Sequence, residues 1–226
     1  MGKDKLMRYT QVNSFENVLE PTMEHTKGEI FPLKGKWNEL YFKRNAPIVL
    51  ELGCGKGEYT VGLAQQAPEN NYIGMDIKGA RIWKGSLDAQ EMELKNVGFL
   101  RQKVDFLEHF FAPNEVDEIW LTFSDPQPKK PNKRLSSRPF INRYLKILKP
   151  GGIVHMKTDS TLLYESTLEQ IEEYGYKTEV CTADVYNEYV PNASLSEQEI
   201  LKIKTHYEQL FTKKGSVIKY IRMRID

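Results

Sequence analysis

The fold class of this chain is decided by one stretch, Leu50-Glu51-Leu52-Gly53-Cys54-Gly55-Lys56-Gly57. Apolar residues precede it and a helical pattern follows it, so the chain leaves a strand, turns on glycines and enters a helix. Glycines at such a turn let the backbone approach a ligand at the start of the helix. The spacing G-x-G-x-G differs from the G-x-G-x-x-G of dinucleotide sites. Glu51 would repel a pyrophosphate but not a cationic cofactor; a turn without a ligand is the alternative.

Strand and helix patterns alternate from Pro47 onward and predict a mostly parallel sheet with helices on both faces. The predicted strands are Ile48–Leu52, Tyr72–Asp76, Val97–Lys103, Glu118–Phe123, Gly152–Thr158, Tyr176–Thr182 and Val217–Ile225. The predicted helices are Glu58–Ala67, Lys78–Lys95, Pro139–Leu148, Leu162–Tyr174 and Ser196–Lys213. The last strand should pair with Tyr176–Thr182 as an antiparallel edge. We therefore predict an α/β, Rossmann-like fold of seven strands for residues 46–226, preceded by a partly ordered arm at residues 1–45.

The composition is that of an ordinary soluble protein, with 40% hydrophobic and 28% charged residues among 226. No apolar run approaches the length of a membrane span, and the first residues do not resemble a secretory signal. Cys54 and Cys181 have no metal-ligand spacing. We therefore expect a cytoplasmic protein without a metal ion or a membrane partner. The net charge of +1 conceals a basic segment at residues 125–149 and an acidic one at residues 159–200.

Four acidic residues follow the predicted parallel strands at their carboxyl ends, where open α/β sheets bind ligands: Glu51, Asp76, Asp105 and Asp125. Asp76 could accept hydrogen bonds from both ribose hydroxyls of an adenosyl group. Asp105 could accept one from an adenine amino group. Each could instead cap the helix or turn that follows it.

The second strong signal is a strand that runs into the stiff sequence Asp125-Pro126-Gln127-Pro128. Four cations follow at once, namely Lys129, Lys130, Lys133 and Arg134. A solvated basic loop is one interpretation, but the run adjoins a strand-end acid, so we favour contact with phosphates. Asp159 ends the next strand on the same rim, as a site residue, a helix cap or both. The spacing of Thr205-His206-Tyr207-Glu208 alone indicates only an amphipathic helix turn.

The glycine loop resembles the first motif of methyltransferases that use S-adenosylmethionine. Together the motifs resemble the bacterial tRNA (guanine-N7-)-methyltransferase family, and they cover most of the chain from about residue 35. The matching residues are Gly35-Lys36-Trp37-Asn38, Glu51–Gly57, Tyr72–Asp76, Phe123–Pro126 with its basic run, Lys157-Thr158-Asp159, and Thr205-x-Tyr207-Glu208-x-x-Phe211-x-x-x-Gly215. The chain departs from the family at Gln127, where Trp is usual, and in a basic loop about one residue shorter.

The resemblance implies a class I methyltransferase fold and S-adenosylmethionine as cofactor, bound by Glu51, Gly53, Gly55, Gly57, Asp76, Asp105 and Asp125. It implies that the guanine or its nucleotide is held by Lys129, Asp159, Thr205, His206, Tyr207 and Glu208. The tRNA backbone would meet Lys130, Lys133 and Arg134. The expected product is 7-methylguanosine, at variable-loop position 46 of the tRNA. The chain would act as a monomer or a homodimer, with no metal.

The resemblance also suggests a mechanism. Guanine N7 carries a lone pair and no proton, so the reaction needs no general base. Asp125 is the candidate catalytic residue: with Asp159 or Glu208, it would accept hydrogen bonds from guanine N1–H and the exocyclic amine. The alternatives are a methyltransferase for small molecules or proteins, which would not need the basic run, and a non-catalytic RNA-binding module, which would not need the strand-end acids. The glycine spacing argues against a nicotinamide enzyme.

Overall fold

A computed structural model describes residues 3–225 of the chain, with side chains described for residues 6–225. Eight strands form one sheet: β1 (Val18–Leu19), β2 (Ile48–Leu52), β3 (Asn71–Asp76), β4 (Val97–Arg101), β5 (Val116–Thr122), β6 (Leu148–Thr158), β7 (Lys177–Thr182) and β8 (Lys219–Arg224). The strand order is β1-β4-β3-β2-β5-β6-β8-β7. Strand order reverses beside β2, which is where an open sheet of this kind binds its ligand.

The α-helices are α1 (Lys3–Val12), α2 (Glu58–Gln66), α3 (Gly79–Glu91), α4 (Leu107–Phe110), α5 (Arg138–Tyr144), α6 (Thr161–Tyr174), α7 (Leu195–Lys202) and α8 (His206–Lys213). Short 3-10 turns cover Glu24–Thr26, Val104–Phe106, Pro131–Lys133 and Val190–Asn192, and π-type turns cover Trp37–Phe42 and Val185–Tyr189. No helix within residues 3–225 is long and apolar enough to cross a membrane.

The core lies on both faces of the sheet. Leu50 and Ile73 belong to one buried cluster, whereas Val49 and Tyr72, their neighbours along the strands, belong to the other. Every residue of β2 is buried, as expected for a central parallel strand covered by helices on both sides. This rigid centre fixes the direction in which the glycine loop leaves β2.

The α/β class and the mostly parallel sheet are confirmed, with several differences in detail. The predicted helix Pro139–Leu148 ends at Tyr144, and Leu148 already belongs to β6. The described residues form eight strands and not seven, because β1 pairs in parallel with β4. Strand β8 does pair antiparallel with β7, but it also pairs with β6, so it lies second from the edge. The single late helix predicted at Ser196–Lys213 is two helices. The chain extends at Ile203 (ψ 126°), and the side chain of Thr205 caps a new helix.

The described part of the N-terminal arm packs on the sheet domain. Trp37 is fully buried, stacks on Phe111 with ring centroids 5.4 Å apart, and donates its indole N–H to the carbonyl of Phe110 at 3.0 Å. Val12 of α1 is likewise fully buried. A domain boundary at residue 45 stays a prediction, although these contacts join the arm to the core.

Candidate active site

A cleft of about 720 Å³ opens at the carboxyl ends of the parallel strands. It is lined by Gly53, Cys54, Gly55, Lys56, Glu58, Asp76, Ile77, Lys78, Arg81, Thr122, Phe123, Ser124, Asp125, Pro126, Gln127, Lys133, Leu135, Asp159, Ser160, Thr205, His206, Tyr207 and Phe211. Most of the site residues expected from the sequence therefore meet in one place. Glu51, Gly57, Asp105, Lys129, Lys130, Arg134 and Glu208 lie outside the lining.

The glycine loop forms one side of the cleft. Gly53, Gly55 and Gly57 all have positive φ angles, 76°, 57° and 74°, which side chains rarely adopt. Gly57 has a second constraint, since a Cβ there would lie 2.6 Å from the ring of Phe99. Gly53 and Gly55 thus face the cleft, whereas Gly57 allows the start of α2 to pack closely against Phe99.

Asp76 joins the glycine loop to the start of α3. Its Oδ2 accepts a hydrogen bond from Gly55 N at 3.0 Å, and its Oδ1 accepts one from Lys78 N at 2.8 Å. The helix-capping role considered from the sequence is not present, because Lys78 precedes α3 and no side chain caps that helix. The carboxylate also lines the cleft and keeps acceptor capacity, since each oxygen has a second lone pair.

Glu51 lies beneath the glycine loop and not in the cleft, with 2% of its surface exposed. It accepts hydrogen bonds from the backbone N–H of Thr60, at 2.8 Å, and from the hydroxyls of Thr60 and Thr122. It thereby ties α2 to the end of β5. Burial raises the pKa of Glu51 to about 7, although the three hydrogen bonds act in the opposite direction.

Glu51→Gln is expected to make the protein more stable at pH 8 than the wild type. Because the folded pKa of Glu51 is raised to about 7, wild-type stability falls between about pH 4.5 and pH 7, by on the order of 3 kcal/mol. Gln retains an acceptor for Thr60 and removes this titration. Urea unfolding at pH 5 and pH 8 measures the effect, with Glu91→Gln on an exposed part of α3 as control. An unchanged pH dependence would show that Glu51 is not the group that titrates.

The loop after β5 carries Asp125 on an unusual backbone. Phe123 and Gln127 have positive φ angles of 50° and 44°, which is costly for a bulky residue such as Phe. Phe123 N donates to the carbonyl of Lys157 at 2.8 Å, and Gln127 N donates to Asp125 Oδ1 at 3.0 Å. Among the described residues, the buried Ser124 Oγ has no hydrogen-bond partner. Strained backbone is typical of functional sites, and here Asp125, which lies between the two strained residues, is exposed at the cleft.

The four cations after Asp125 do not share one environment. Lys129, Lys130 and Lys133 are exposed, and Lys133 lies 3.3 Å from Asp105 at the rim. Arg134 is buried instead: its Nε donates to the carbonyl of Pro126 at 3.0 Å and a terminal nitrogen donates to Ser166 Oγ at 2.6 Å. In this structure Arg134 holds the loop against α6, and three lysines remain accessible to a phosphate backbone.

The far wall of the cleft is the start of α8. Thr205 Oγ1 caps this helix by accepting a hydrogen bond from Glu208 N at 3.1 Å. Tyr207 lies between Phe211, at 6.3 Å between ring centroids, and the guanidinium of Arg81, 5.8 Å from its ring. Helices α3 and α8 thus approach each other across the cleft.

Glu208 points away from the cleft and is fully buried. Its carboxylate lies 2.9 Å from Nζ of Lys157, which is also fully buried. This ion pair was not predicted from the sequence. The available signal was a lysine inside a central strand, directly after Met156, a position where a charge needs a partner. Arg81 was also missed, since nothing near it in the sequence marks it.

The sheet order, the glycine loop after β2 and the acid after β3 define a class I methyltransferase. A family model described as a putative methyltransferase matches residues 45–221. In the part of the chain that the structure describes, no group of three metal-binding side chains is found.

Two relatives resemble the chain over almost its whole length. A protein of Bacteroides thetaiotaomicron is 46% identical over 100% of this chain and 87% of its own. One of Christiangramia forsetii is 46% identical over 99% of both chains. Each is named tRNA (guanine-N(7)-)-methyltransferase. Among solved structures, the 16S rRNA methyltransferase KamB superposes with a TM-score of 0.63 at 16% identity, covering 88% of this chain and 95% of its own. The chain belongs to the tRNA (guanine-N7-)-methyltransferase family.

Proposed function

We propose that this protein transfers the methyl group of S-adenosylmethionine to N7 of a guanine in tRNA, giving 7-methylguanosine. The expected target is variable-loop position 46. The observation that carries the proposal is the continuity of the site: the loop that presents Asp125 in the cleft continues directly into the exposed residues Lys129 and Lys130. A tRNA backbone bound by these lysines would bring a base to the mouth of the cleft.

The residues of the cleft fit the cofactor. Gly53 and Gly55 extend no side chain into the cleft, and a Cβ on Gly55 would meet nothing within 4 Å. Asp76 offers carboxylate acceptors for the ribose hydroxyls. Ile77, 49% exposed at the cleft, offers an apolar surface for adenine. S-adenosylmethionine supplies an activated methyl group on a sulfonium, so the protein must mainly orient the base.

Asp125 and Asp159 are the acceptors that we assign to the guanine. Both line the cleft, whereas Glu208, the other candidate partner, is buried in its ion pair. The two carboxylates would accept hydrogen bonds from N1–H and the exocyclic amine, and their charge would offset the positive charge that grows on the ring. To reach them, the guanine must leave its stack in the tRNA. A cytoplasmic location and a monomeric or homodimeric state remain predictions.

Replacing guanine N7 with carbon in the tRNA tests whether this atom accepts the methyl group. An unmodified tRNA transcript is expected to accept a labelled methyl group. The same transcript made with 7-deazaguanosine should accept none, because a carbon replaces the nucleophilic nitrogen. Gel-shift binding of both transcripts is the control, and we expect it to be equal. Equal methylation of the two transcripts would contradict the proposal, and no methylation of either would favour a different acceptor.

A further inference from the structure

Lys157 is fully buried, and its ammonium group is surrounded by acceptors from one side of the cleft. Nζ donates to Glu208 Oε2 at 2.9 Å and to the carbonyl oxygens of Leu201 and Ile203 at 2.7 and 3.0 Å. The hydroxyl of Tyr186 lies 3.0 Å away. A buried ammonium needs such a complete set of partners, since an unpaired one would cost several kcal/mol.

These contacts fall on both sides of the break between α7 and α8. Leu201 and Ile203 lie at the carboxyl end of α7, where the helix dipole favours a cation. Glu208 lies in the first turn of α8, the turn that carries His206 and Tyr207 into the cleft. The side chain of Lys157 therefore holds the junction between α7 and α8, here called the α7–α8 corner, against β6.

The main chain of Lys157 supports the loop that carries Asp125. Its carbonyl oxygen accepts the hydrogen bond from Phe123 N at 2.8 Å, two residues before Asp125. Asp159 follows two residues later, directly after the end of β6, and lines the cleft. One residue thus connects the Asp125 loop, the Asp159 rim and the α8 wall.

We propose that Lys157 is a positioning residue for methyl transfer, which holds the α8 wall in register with Asp125 and Asp159 without touching the base. Glu208 acts by the same route, through Lys157. A misplacement of about 1 Å between reacting groups can lower a rate about 100-fold, so this connection affects turnover and not only stability. The inference rests on the proposed function, because methylation of tRNA is its readout.

The double variant Lys157→Met with Glu208→Gln separates positioning from stability. It removes both buried charges together, so neither is left unpaired and we expect the fold to be retained. We expect a Tm close to that of the wild type and a cofactor Kd, measured by calorimetry, within about twofold. We expect kcat at saturating tRNA to fall about tenfold or more, because the α7–α8 corner is no longer fastened to β6. A double variant with wild-type kcat would overturn the inference and show that the pair serves only the fold.

If the double variant does not fold, Tyr186→Phe tests the positioning role of Lys157 in its place. The Tyr186 hydroxyl lies within hydrogen-bond distance of Lys157, of Glu208 and of the Leu201 carbonyl at the end of α7, so its loss loosens the connection between these groups while both charges stay paired. We expect kcat to fall about threefold to tenfold with cofactor affinity unchanged, and an unchanged kcat would overturn the inference. The wild type is assayed alongside. Its failure to methylate tRNA would overturn the proposed function and this inference with it, whereas an active wild type with unimpaired variants overturns the inference alone.

Discussion

Asp125→Asn is expected to lower kcat for tRNA methylation by about 100- to 1,000-fold, the usual cost of removing one group that stabilises a developing charge. Asn retains an oxygen that can accept from Gln127 N, so the loop keeps its shape. The substitution removes the negative charge and can place an amide N–H against the N–H groups of guanine. The growing positive charge on the base would then lack its nearest counter-charge.

Steady-state kinetics with saturating tRNA, together with calorimetry of cofactor binding, measures this effect. Asp88→Asn serves as the matched control, because Asp88 lies on α3 and pairs with Lys84 away from the cleft. Since Asp125 is also expected to contact the cofactor, we allow a change of about tenfold in cofactor Kd, well below the expected loss in kcat. A kcat close to that of the wild type, with cofactor binding intact, would exclude Asp125 from catalysis.

Lys129→Ala with Lys130→Ala is expected to weaken tRNA binding on the order of 50-fold at 0.1 M salt. The loss of one phosphate contact means that about 0.7 to 0.9 fewer counterions are released on binding, so for two contacts the slope of log K against log salt should become less steep by about 1.4 to 1.8. Both side chains are exposed and lie outside the cleft lining, so kcat at saturating tRNA should change little.

A double variant of equal charge is the control for this prediction. Lys95 precedes β4 and Lys177 begins β7, so both lie at the amino ends of the strands, on the side opposite the cleft. Both are exposed. Replacing both lysines with Ala should leave the salt dependence of tRNA binding nearly unchanged. If both double variants lose the same affinity, the basic loop has no special role and only the net charge matters.

The sequence was most informative where local pattern and tertiary structure agree. Ile48–Leu52 is predicted with correct bounds, because a central strand buried on both faces is mostly apolar, here with Glu51 as the one exception. The strand-end acids Asp76 and Asp125 reach the cleft because the topology of a parallel sheet places such ends together.

The remaining features depend on packing that the sequence does not encode locally. Strand β1 has two residues, too few for any periodicity to appear. The break before Thr205 rotates α8 relative to α7, so helical spacing could not show that Glu208 faces inward. The charge run after Asp125 appears uniform, yet Arg134 turns inward because the loop folds onto α6.

Methylation of guanine N7 is best tested by identifying the nucleoside that carries the new methyl group. Unmodified tRNA transcript is incubated with the purified protein and labelled S-adenosylmethionine, then digested to nucleosides and separated. We expect the label to appear in 7-methylguanosine and Asp125→Asn to abolish most of it. Label in another nucleoside, or no label although calorimetry shows cofactor binding, would contradict the assignment of this cleft to guanine N7.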